Sequence, residues 1–152
     1  VEDAMNTHPY LRAYMAGIVA PTMMLLVVLT GFFVSRHVFH VPVPIERVIV
    51  FPMALVPNLF GAWNMLYLWL RPRHHFSIGV HGALLPFILA PIAFTVATSL
   101  GFLAVTPQGL VLFQTITLVY GFVATGFTAA LAVYYLVWKH LIGFFNEVLG
   151  IA

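Results

Sequence analysis

The sequence contains no cysteine, which removes disulfide exchange, thiolate zinc sites and iron–sulfur clusters at once. Charge is almost as scarce. Six Lys and Arg stand against four Asp and Glu, 7% of all residues, where a soluble domain carries about 25%. A water-facing surface could not be built from so few charges, whereas a lipid-facing one needs none. The acids are also poorly placed for hydrolysis: Glu2, Asp3 and Glu147 lie towards the ends and Glu46 in an internal loop, so no Ser–His–acid set can assemble. No Asp, Glu, Lys or Arg falls inside a long apolar run, which argues against a proton relay, a voltage sensor or a charge-selective ring. A surplus of two positive charges is too small for a nucleic-acid surface.

What is present is apolar. Hydrophobic residues make up 62% of the 152 positions, and the mean hydropathy is +1.05. Four runs, at 14–34, 48–70, 79–105 and 110–138, each reach the ~20 residues needed to cross ~30 Å of hydrocarbon. The expected fold is one all-α polytopic membrane domain over 1–152, an up-down-up-down bundle of four transmembrane helices, with 141–152 as an interfacial tail. The first run would act as its own insertion signal. Arg12, Arg71, Arg73 and Lys139 then fall on one side and Arg36 and Arg47 on the other. That bias favours an integral membrane protein with both termini in the cytoplasm, its four cations meeting lipid headgroups.

Small residues mark the expected packing faces. Gly79, Ala83, Ala90, Ala93 and Ala97 recur at helical spacing in the third run, and Gly121 and Thr125 in the fourth. Such ridges let helix backbones approach where lipid gives no hydrophobic reason to associate. Two ridges exceed the needs of one small bundle, so a homo-oligomer or a subunit of a membrane complex is expected.

Polar residues inside the runs are the candidates for function. Asn58 and Asn64 flank Gly61 on one helical face, and Pro57 leaves the Met53 carbonyl without its usual amide partner. Two amides beside an interrupted helix are the ingredients of a ligand or ion path, although asparagines also serve as interhelical glue. Histidine is the other excess, seven in all. His81 and His140 fall at similar depth on adjacent antiparallel runs, with His74 and His75 nearby, so haem or a divalent metal could be held there. The spacing matches no metal motif, imidazole is at home in membrane interfaces, and no cofactor is expected. The sequence therefore reads first as a non-catalytic scaffold or accessory subunit that binds lipid, a hydrophobic ligand or another membrane chain. A small channel or carrier for a neutral solute, through Asn58, Gly61 and Asn64, and a haem or metal protein, through His81 and His140, stand as alternatives.

Overall fold

The structure is a computed structural model that describes residues 8–41, 45–73 and 75–151, the helix over 45–54 by its backbone alone. Helix α1 (Pro9–His37) begins with a proline, whose missing N–H costs nothing at the first helical position, and continues through Pro21. Helix α2 (Ile45–Leu70) runs without interruption past Pro57. The break expected there is not formed: proline removes one amide donor, yet its fixed φ is helical and packing holds the turn together.

Helix α3 (Ile78–Leu84) is capped by Ser77, whose hydroxyl accepts from the Val80 N–H at 3.3 Å. Pro86 has no N–H to continue the ladder, so the chain tightens for one turn, with Leu85 N–H donating to Gly82 O at 3.1 Å, and resumes as α4 (Pro86–Ser99). Gly101, at φ +73°, then stops the helix. Phe102 N–H returns to Ala97 O (2.8 Å) and Gly101 N–H to Thr98 O (3.1 Å), the paired bonds of a Schellman cap.

Beyond that stop the expected architecture fails. Residues 103–119 form a three-stranded antiparallel meander, β1 (Leu103–Thr106), β2 (Gly109–Leu112) and β3 (Ile116–Val119). Leu103 pairs with Leu112 across the first ladder, and Leu112 with Ile116 across the second. The protein is thus not an all-α bundle of four spans, and neither 79–105 nor 110–138 is one helix. Hydropathy cannot separate a buried helix from short strands, and Val105, Thr106, Val111, Ile116, Thr117 and Val119 are β-branched residues suited to a pleat. Helix α5 (Tyr120–Leu136), a π-helical segment (Val137–Ile142) and α6 (Gly143–Val148) follow as one continuous rod. That rod occupies most of the stretch expected as a surface tail.

Among the described residues, three helical stretches are long and apolar enough to cross a membrane: Pro9–His37, Ile78–Ser99 and Tyr120–Val148. Their lengths of 29, 22 and 29 residues support an integral membrane location at ~1.5 Å per residue. The open edges of β1 and β3 carry backbone groups that hydrocarbon would leave unpaired. In the spans, hydroxyls bond back to their own helix, as Thr95 does to Pro91 O (2.8 Å) and Ser99 to Thr95 O (2.7 Å).

Two antiparallel pairs build the core. α1 and α2 meet backbone to backbone: a Cβ added to Gly17 would sit 2.6 Å from Phe60 O, and one on Gly61 would sit 2.5 Å from the Tyr14 ring. α3 meets the C-terminal rod where Gly79 faces Tyr135 and Lys139 and Gly82 receives the Trp138 ring. The pairs join at the end opposite the sheet, around Ala20, Phe60, Leu85, Trp138 and Ile142, with a satellite of Ala13, Ala16 and Ile151.

Candidate functional site

At the closed end, buried polar groups tie the four elements together. Asn64 and Asn146 are 0% and 4% exposed and face each other as reciprocal amides: Asn64 Nδ2 donates to Asn146 Oδ1 (2.8 Å), and Asn146 Nδ2 to Asn64 Oδ1 (3.2 Å). The other Asn64 N–H goes to Ala13 O on α1 at 2.7 Å. Asn58 accepts from the Tyr14 hydroxyl. The α1–α2 seam and the Asn146 amide therefore take up Gly61 and Asn64, while Asn58 stays exposed beside Tyr14. Pro57 is half-buried one residue before Asn58.

The histidines divide. His81 is 4% exposed and locked to Trp63 in both directions: Trp63 Nε1 donates to His81 O, and His81 Nε2 lies 2.9 Å from Trp63 O. A carbonyl only accepts, so Nε2 carries the ring proton and is committed as a donor. Trp63 stacks on the imidazole at 4.7 Å, with Tyr67 and Trp138 at 5.3 and 5.8 Å. His140 and His75 are exposed, and His74 lies outside the described residues. Among the described residues no three His, Asp or Glu side chains converge as a metal site would require.

The cations split as well. Arg12 donates to Leu149 O (2.7 Å) and Arg71 to Ile151 O (2.9 Å), clamping the last residues against α1 and α2. Arg73 lies over Trp69 at 4.5 Å and Lys139 over Tyr135 at 5.6 Å. Gly150, at φ +64°, turns the chain so that Ile151 N–H reaches Asn146 O at 2.8 Å, a second Schellman cap.

Towards the sheet the helix pairs diverge around a cavity of about 540 Å³, inside the ~300–1,000 Å³ range of small-molecule sites. Its walls come from Phe32 on α1, Val56 on α2, Leu89 on α4 and Tyr134 on α5, and Phe102 and Phe113 close the sheet side. Among the described residues, the Tyr134 hydroxyl is the one polar side-chain group in the lining. A second groove of about 240 Å³ between α1 and α5 shares the Val56 and Tyr134 walls. Of the small-residue ridge, Gly79 packs against the rod, Ala83 is half-buried, and Ala93 and Ala97 line the cavity. Ala90 lines a shallow outer groove with Phe87 and Phe127. Gly121 and Thr125 are exposed on α5, where Thr125 bonds back to Gly121 O at 2.9 Å.

Phe113 reaches the cavity from a strained turn. Leu112 to Thr115 closes β2 onto β3 through Thr115 N–H to Leu112 O (3.0 Å), with Phe113 and Gln114 both in the left-handed region at φ +51° and +59°. Leu112 pairs with Ile116, so the loop has three residues, and its two consecutive positive φ values are a conformation that Asn and Gly ordinarily supply. Phe113 N–H donates to Phe102 O at 2.8 Å, and the two rings lie 5.9 Å apart at the cavity wall. Sequence reasoning missed Asn146, the Trp63–His81 lock and this turn. Ser99-Leu100-Gly101 was a legible helix stop, whereas nothing in Leu-Phe-Gln-Thr announces two consecutive positive φ values. Compared with protein-family models, curated proteins and solved structures, the chain matches none.

Proposed function

We propose that this membrane protein is a non-catalytic holder of one hydrophobic chain, a lipid tail or a comparable apolar ligand, taken up in the cavity between the helix pairs. The observation that carries the reading is the cavity itself, about 540 Å³ walled by apolar side chains and one tyrosine hydroxyl. Water finds almost no hydrogen-bond partner there. Lipid tails are as apolar as the walls, so selection rests on shape and dispersion contact rather than on the hydrophobic effect. The adjoining groove between α1 and α5 supplies a lateral entry past Val56 and Tyr134.

Arg12, Arg71, Arg73 and Lys139 support placing the closed end, with both chain ends, in the cytoplasm. Self-association through α5 is part of the same reading: Gly121 has no neighbouring atom within 4 Å of an added Cβ, and exposed Thr125 lies one turn on along the same face, a surface that suits a second copy of the chain.

The test is competition binding of a fluorescent long-chain acyl probe to purified protein in mild detergent. Ala93→Phe and Ala97→Phe, which fill the cavity, should each weaken binding by roughly tenfold, while Phe122→Ala on the outer face should not. Equal binding by all four proteins would remove the proposal.

A further inference from the structure

The closed end holds a second cavity of different chemistry. It measures about 130 Å³ and is lined by Tyr67 and Arg71 near the end of α2, Lys139 in the π segment, and Asn146 and Glu147 in α6. At ~30 Å³ per water it holds roughly four water-sized groups, enough for a phosphate with a short polar arm but not for an acyl chain. Arg71 uses an N–H on Ile151 O but has five to give. The Lys139 ammonium lies over the Tyr135 ring. No ion pair joins Glu147 to either cation among the described residues, and two cationic residues and one carboxylate residue, all exposed, line the same small space. α2 ends here, α3 begins here and the C-terminal rod ends here, which sets the cavity at the level where spans meet headgroups.

We propose that this cavity binds the headgroup of a zwitterionic phospholipid bearing a primary ammonium, with the phosphodiester on Arg71 and Lys139 and the ammonium on Glu147. The charge arrangement selects the class. A purely anionic headgroup would satisfy the cations but meet repulsion from Glu147. A quaternary ammonium has no N–H to donate to the carboxylate, whereas a primary ammonium forms charge-assisted hydrogen bonds with it. The site lies at the opposite end of the helix pairs from the sheet that closes the apolar cavity, so it stands or falls independently of the acyl-chain reading.

The test is native mass spectrometry of the full chain titrated with phosphatidylethanolamine, phosphatidylglycerol and phosphatidylcholine of identical acyl composition. Phosphatidylethanolamine should be retained roughly tenfold better than either of the others. Glu147→Gln should abolish its advantage over phosphatidylglycerol, and Lys139→Gln should weaken both; both side chains are exposed, so matched thermal unfolding checks the fold. Equal retention of the three lipids, a preference for phosphatidylglycerol, or an advantage that survives Glu147→Gln would overturn the proposal. Displacement by water-soluble phosphoethanolamine at concentrations comparable to the lipid would overturn its assignment to a lipid.

Discussion

Asn64 gives both of its amide hydrogens to partners inside the fold, one on α1 and one on α6. Truncation to Ala leaves the Asn146 amide and the Ala13 carbonyl buried without it, a loss expected to cost about 1–3 kcal/mol. Because the amides answer each other, Asn64→Leu and Asn146→Leu together should destabilise by less than the sum of the single changes. Detergent or thermal unfolding of the four proteins measures this, and strict additivity would show that the pair does not act as a unit. Gly82 makes the opposite kind of contact. Any Cβ there enters the Trp138 ring, which is 0% exposed, so Gly82→Ala should cost at least about 1–3 kcal/mol and redden tryptophan emission as the indole is displaced. An unchanged spectrum and unfolding midpoint would contradict the packing described. At this scale the sequence was half legible: an amide in an apolar run demands a partner, which singled out Asn64, but pairing with a residue 82 positions away leaves no local trace.

Among the elements, the meander is the part that hydropathy misread. Its strands are apolar on both faces, and with no charge between Gly101 and Trp138 nothing divides them from the helix that follows. The local grammar was there at one end, in the Gly101 stop and the Thr-Pro-Gln-Gly turn. At the other end tertiary context overrides preference, since Phe113 and Gln114 adopt a turn that their side chains disfavour by about 1–2 kcal/mol per residue. Gln114 is exposed, so Gln114→Gly relieves its strain without removing a buried contact. The expected gain is about 0.5–1 kcal/mol after the greater unfolded-state entropy of glycine. Thermal unfolding checks it, and a loss of stability would mean that the turn is not of this type. Three stretches long enough to cross a membrane follow from length and apolar composition, although the expected runs 79–105 and 110–138 overran into the meander.

The whole molecule is tight at one end and open at the other. The closed end gathers the buried amides, the aromatic lock on His81 and the clamped C-terminal residues. The sheet end leaves much of the rod from Tyr120 exposed: along its apolar stretch only 6% of residues are fully buried. Such a face is open to lipid or to a second copy. If it is a dimer face, Gly121→Leu should shift a single-molecule or cross-linking readout in bilayers towards monomer, and an unaltered distribution would remove α5 from the interface. Of the residues singled out by type, Gly61 and Asn64 lie in the α1–α2 seam and Asn58 is exposed beside Tyr14, while His81 is buried and His140 exposed. The cavity could not be read in advance, because its walls are Leu, Ile, Val, Ala and Phe, the same residues that face lipid. The central claim is that this cavity, rather than the outer surface, holds an apolar chain. Photo-cross-linking with a phospholipid carrying a diazirine on its acyl chain, followed by peptide mapping, tests it most directly. Adducts concentrated on Phe32, Leu89, Phe102 and Phe113 are the predicted result; adducts spread over the outward Met23, Val27 and Phe122, with the cavity walls unlabelled, would contradict it.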